Sequence, residues 1–127
     1  MLFRSAEELT AQGLDMCERA FGPTHASVAY GTHCLGKVYA DAGRLSEAEQ
    51  ACQQAIELHR GAFGSDHLFV ARPLTDLGWI LVAQQRFEEA ETLLHEALEL
   101  RRRGKPPGYW KTAKTASILG EIGRAHV

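Results

Sequence analysis

One segment of this chain occurs twice. Phe21, Gly22 and His25 return as Phe63, Gly64 and His67. Val28, Ala29, Leu35 and Gly36 return as Val70, Ala71, Leu77 and Gly78. Arg44, Glu47, Ala48 and Glu49 return as Arg86, Glu89, Ala90 and Glu91. Ala55, Glu57, Leu58 and Arg60 return as Ala97, Glu99, Leu100 and Arg102, and every pair is 42 residues apart. A fixed period of this length marks a repeat architecture and constrains the fold more than composition does. A single such unit cannot bury its apolar face, so the copies are expected to stack.

Within one period the apolar spacing is helical. Val28, Ala29, Thr32, Leu35, Gly36 and Tyr39 recur three and four residues apart, which places them on one face of a helix over 25–42. Gly22-Pro23-Thr24 breaks the chain before it, and Thr24 is the expected cap. Gly43 ends it in a turn. Ser46 with Glu49 reads as a capping box for a second helix over 46–61, with Ala48, Cys52, Ala55, Ile56 and His59 on its inner side. Two helices joined by so few residues must run antiparallel. The second copy predicts helices over 68–84 and 87–103, with Asp66 as the cap and Pro73 bending or delaying the first of them.

Upstream, 6–20 aligns with 48–62 and reads as the second helix of a repeat whose first helix is absent, weakened at Gly13. Downstream, Gly104-Lys105-Pro106-Pro107-Gly108 reads as a stiff loop. A helix over 110–121 then resumes the pattern, Ala113, Leu119 and Gly120 matching Ala71, Leu77 and Gly78. The units are therefore 6–20, 24–61, 66–103 and 109–121. The ends look foreign to the array. Codons for Leu2-Phe3-Arg4-Ser5 and for Glu121-Ile122-Gly123-Arg124-Ala125 can be chosen as reverse complements that resemble a sequencing-library adapter. Residues 1–5 and 122–127 are accordingly expected to be adapter read-through, leaving an array fragment over 6–121.

Several function classes are excluded by what the chain carries. Its net charge of −2 gives no electrostatic footprint for nucleic acid or an anionic membrane surface. No apolar run approaches the roughly 20 residues that span a bilayer. Cys17, Cys34 and Cys52 are odd in number and far apart, which points to reduced thiols in a cytoplasmic protein and to packing roles. H-E-x-x-H, G-x-S-x-G, the phosphate loop and G-x-G-x-x-G are all missing, so no catalytic, metal or cofactor-binding set is expected and the chain does not read as an enzyme. His25 and His67 repeat at one junction and read as structural. Glu47, Glu49, Glu89 and Glu91 follow the fold period and read as helix-start charges. Arg101, Arg102 and Arg103 read as a solvated helix end.

At Leu35-Gly36, Leu77-Gly78, Tyr39, Ala48-Glu49 with Ala55, and Ala90-Glu91 with Ala97, the chain resembles the tetratricopeptide repeat family. The long junctions at Phe21–His25 and Phe63–His67 resemble the longer repeats of the kinesin light chain type. The resemblance implies an all-α, right-handed superhelix of antiparallel helix pairs. It also implies that a peptide or protein surface binds in the concave groove lined by each repeat's first helix. Kinesin-type repeats often carry paired Asn ahead of the leucine, where this chain has His33-Cys34 and Thr75-Asp76. An alternative role is a regulatory helical segment of a larger enzyme or signalling protein.

The groove is expected to centre on Trp79. It matches Lys37, and lysine is almost never fully buried without a partner. The same side of the first helices carries Tyr30, His33, Cys34 and Lys37, then Arg72, Thr75, Asp76 and Trp79, then Lys114. An apolar ligand anchor with an acidic flank would suit such a strip. Uncapped ends are expected to expose apolar residues and to promote self-association.

Overall fold

The computed structural model describes the backbone of residues 2–104 and 110–126, and the side chains of 6–104 and 115–124. Six α-helices make up the described chain: α1 (Leu2–Phe21), α2 (Ala26–Asp41), α3 (Leu45–Phe63), α4 (Ala71–Ala83), α5 (Phe87–Gly104) and α6 (Trp110–His126). Each packs on the next, α2 on α3 and α4 on α5 as antiparallel pairs, and the pairs stack into a superhelix. The first helices also meet directly, α2 on α4 and α4 on α6. The expected helices are all present. α1 starts earlier than the expected residue 6, and α6 runs past 121 to His126, with Ile122 buried in the core. Apart from Gly104, the loop expected at 104–108 lies outside the described residues.

Small residues set how closely the helices approach. A methyl group on Gly36 would lie 2.7 Å from Cys52 Sγ, and one on Gly78 would lie 2.7 Å from Leu94 Cγ and Cδ2. Ala48, Cys52 and Ala55 on α3, and Ala90, Leu94 and Ala97 on α5, are fully buried against these glycine faces. Thr32 and Thr75 are buried as well, and each hydroxyl donates 2.8 Å to the carbonyl four residues back, to Val28 and Ala71. Neither hydroxyl is therefore an orphan in the core.

The repeated Phe-Gly-x-x-His junction is a helix stop and a helix start in one motif. Gly22 and Gly64 each adopt φ +92°, a left-handed conformation that glycine takes without penalty, and so end α1 and α3. The next helical turn is capped by histidine. His25 Nδ1 accepts from the Ser27 amide, and His67 Nδ1 from the Phe69 amide, each at 3.1 Å. The Phe21 ring stacks on His25 at 4.6 Å, and Phe63 on His67 at 5.1 Å. This corrects the expected caps. Thr24 and Asp66 stand one residue too early, because a cap must directly precede the first helical residue. Pro73 delays its helix: Leu68–Val70 forms a 3-10 turn, and α4 begins at Ala71, which puts Pro73 in the first turn where no backbone donor is needed.

The capping box expected at Ser46 and Glu49 does not form. α3 begins at Leu45, so Ser46 already lies inside it, and the preceding Arg44 makes no capping bond. Arg44 instead grips Glu47 with two nitrogens and reaches back to Glu7 of α1 at 2.6 Å. Arg86 does the same one period later, holding Glu89 and reaching back to Glu49 at 2.7 Å. Glu47 and Glu89 thus serve as acceptors within their units and Glu7 and Glu49 between units, and the Arg86 bonds hold the Glu89 carboxyl below its usual range.

Candidate functional site

The surface made by α2, α4 and α6 follows from the packing just described. Leu74, Leu77, Gly78 and Leu81 turn one side of α4 into the core. The opposite side carries Arg72, Asp76 and Trp79. Trp79 is 51 % exposed, and one period earlier Tyr30 is 55 % exposed and Lys37 is exposed. Arg72 is exposed, and Cys34 and Asp76 are half-buried. Two residues of the expected strip do not reach its surface. His33 is 6 % exposed and Thr75 is 5 % exposed. Both lie where neighbouring first helices touch, a contact that a helical wheel drawn for one helix does not contain. The Lys114 side chain lies outside the described residues.

Under the strip, His33 and Asp76 join two repeats. His33 Nε2 on α2 pairs with Asp76 Oδ2 on α4. The His33 ring stands edge-on to His59 of α3 at 6.2 Å, and His59 leans on Phe63 at 6.0 Å. His59 Nδ1 lies 2.7 Å from the Ala55 carbonyl, which can only accept, so that nitrogen carries the proton. Burial lowers the basicity of His59; the bond to the Ala55 carbonyl works against it, and the charges of His33 and Arg72 act with it. The Cys52 thiol is pushed up to about 12 by burial, the Asp76 carboxylate adding to the effect. A thiol held protonated in this way is a packing residue and a poor nucleophile. Cys17, Cys34 and Cys52 are all free. Among the described residues no group of three His, Cys, Asp or Glu side chains is placed to hold a metal.

Trp79 lines a cleft of about 390 Å³ between α4 and α6, together with Thr75, Asp76, Ser117, Ile118 and Glu121. The last three were not singled out from the sequence. The repeat offset reaches them directly, because they stand one period after Thr75, Asp76 and Trp79. Among the described residues the charged ones that line this cleft, Asp76 and Glu121, are both acidic. A second cleft, of about 410 Å³, lies between α3 and α5 over Ile56, Leu74, Leu77 and Leu93. Of its carboxylates, Glu49 and Glu89 are held by Arg86, and Glu57 lies 3.9 Å from Arg60.

Among the described residues no helix is long and apolar enough to cross a membrane. No curated protein matches the chain in sequence. The fold is similar to the crystal structure of BtubC (BKLC) from P. vanneervenii, with a TM-score of 0.88 at 18 % identity, over 98 % of this chain and 50 % of that one. It is also similar to the nearly identical TPR-like repeats of a putative kinesin light chain from Podosopora anserina, with a TM-score of 0.86 at 18 % identity, over 98 % of this chain and 59 % of that one. The chain thus spans half the length of the first solved chain and 59 % of the second. Residues 27–103 match the family model described as Tetratricopeptide repeat. With the helix pairs, the close-approach glycines and the repeated junctions all in place, the chain belongs to the tetratricopeptide repeat family.

Proposed function

We propose that the surface of α2, α4 and α6 is a protein-binding groove of a cytoplasmic scaffold, and that it takes a peptide or an exposed segment of a partner protein. Tyr30, Lys37, Arg72 and Trp79 offer the contact surface, with Cys34 and Asp76 between them. His33 and Thr75 support it from below, and Lys114 belongs to the same strip by register. The observation that carries this reading is the half-exposed indole of Trp79, over a cleft, on a helix whose leucines and isoleucine are buried. Trp, Tyr and Arg are the residues that most often dominate binding energy. Fold likeness to a repeat array from a putative kinesin light chain supports a scaffold role.

Replacing Trp79 with alanine tests the reading. Its thermal or urea midpoint should move by less than about 1 kcal/mol, against ~3–5 kcal/mol for a core aromatic, while capture of a partner is lost. An unfolded variant, or one that still binds, would sink the proposal.

The end of the stack offers a second contact. Leu9 is 67 % and Met16 is 68 % exposed on α1, and a methyl group on Gly13 between them would meet nothing within 4 Å. Their period mates on α3, Ala51, Ala55 and Leu58, are buried or half-buried. We infer that copies associate through this face. Sedimentation should show reversible dimers that a Leu9→Lys, Met16→Lys variant abolishes. A monomer at all concentrations would contradict it.

A further inference from the structure

The α4–α6 cleft has a lining that selects by charge. Its described charged groups are Asp76 and Glu121, both carboxylates. Asp76 gives Oδ2 to His33 and keeps its other oxygen, and its side chain is one-third exposed (33 %). The Thr75 hydroxyl spends its proton on the Ala71 carbonyl, so its oxygen can act only as an acceptor toward the cleft. Ile118 supplies an apolar wall, and Trp79 supplies an aromatic ring that is half open to solvent. The two carboxylates and the π-face together complement a group that carries donors and positive charge. The exposed cations Lys37 and Arg72 are not among the residues that line the cleft.

Resting on the groove reading above, we propose that this cleft is a subsite for a cationic side chain, a lysine or arginine of the bound peptide, flanked by an apolar residue. The charge would be held between the Asp76 and Glu121 carboxylates while the aliphatic stem lies along Trp79 and Ile118. An acidic side chain at the same place would face two like charges, so the subsite discriminates by repulsion as well as by attraction. Lys37 stands on α2, at the other end of the strip, and Arg72 on α4.

The test is selection of a random dodecapeptide display library on the full 127-residue chain, followed by anisotropy titration of the synthetic winners. Winners should place Lys or Arg beside an apolar residue. Exchanging that cation for Glu in the peptide should weaken binding at least ten-fold. Glu121 is exposed, so Glu121→Gln and Glu121→Lys should keep the helical circular dichroism of the parent. The first should weaken the basic peptide and flatten its salt dependence, and the second should invert the preference toward the acidic peptide. Winners that need Trp79 but carry acidic residues, or that ignore Glu121→Lys, overturn this subsite and leave the groove standing. Winners indifferent to Trp79→Ala, or no winners above background, overturn both.

Discussion

The two full units share a backbone and fill it differently. In the first, Gly36 faces the small thiol of Cys52. In the second, Gly78 faces Leu94, a larger side chain that is fully buried. The first unit turns from α2 into α3 through Gly43 at φ +80°, and the second makes the same turn through Gln85 at φ 62°. The first places His59 where the second places Arg101, and both are buried. The repeat geometry is thus set by a few close approaches and turns, while the chemistry at each register point is free to vary. The units should therefore respond differently to equivalent changes.

The largest difference should lie at the glycine contact. Leu94→Ala should cost about 2–5 kcal/mol, the range for a buried leucine, and Cys52→Ala distinctly less, both measured by urea unfolding. Gly78→Ala should cost about 1–3 kcal/mol through overpacking, and most of that cost should vanish in the Leu94→Ala background, where room has been made. Additive losses in the double variant would show that the contact does not set the helix spacing.

Acid should separate the units next. Burial depresses the pKa of His59 in the folded state, whereas the unfolded ring titrates near ~6.5. Below that pH the unfolded chain binds more protons than the folded one, so stability falls as pH drops through the window between the two values. Above it the contribution is complete. His59→Gln should lose part of this acid sensitivity when urea midpoints at neutral and mildly acidic pH are compared. An unchanged pH slope would clear His59 of the effect. Its mate Arg101 cannot respond, because a guanidinium stays charged throughout.

The smallest effect should be at the turns. Gln85 holds a left-handed conformation that costs a side-chain-bearing residue about 1–2 kcal/mol, offset in part by the entropy a glycine adds to the unfolded chain. Gln85→Gly should gain up to about 1 kcal/mol, and Gly43→Ala should lose a similar amount. Negligible shifts at both sites would mean that the left-handed conformation limits neither turn.

These contrasts also show what was legible in the residues alone. The period, the helices, the close-approach glycines and the inner sides of α2 to α5 follow from spacing, because each depends on neighbours within one unit. The caps were placed wrongly at Thr24, Asp66 and Ser46. Local rules favour a hydroxyl or carboxylate, whereas here an imidazole steadied by a stacked phenylalanine caps α2 and the turn before α4. The links from Arg44 to Glu7, from Arg86 to Glu49 and from His33 to Asp76 were out of reach. Each joins residues more than 35 positions apart, and only the stacking step brings them together. Trp79 was legible because lysine at the matching position argues for solvent. Ser117, Ile118 and Glu121 were legible by the same offset, and the rest of the cleft follows from the approach of α4 to α6.

The arginine links bear on how such a chain can lengthen. Each unit carries both halves of the connection: an arginine that reaches back to the unit before it, and a glutamate five positions later that the next unit's arginine can grip. Glu91 presents that second half again after Arg86 has used Glu49. A gene segment of 42 codons, duplicated in tandem, would therefore encode a unit whose arginine link already matches both of its neighbours. For this link, growth by copying needs no compensating substitution, whereas the His33–Asp76 pair, whose period mates are Thr75 and Cys34, is not renewed by a copy.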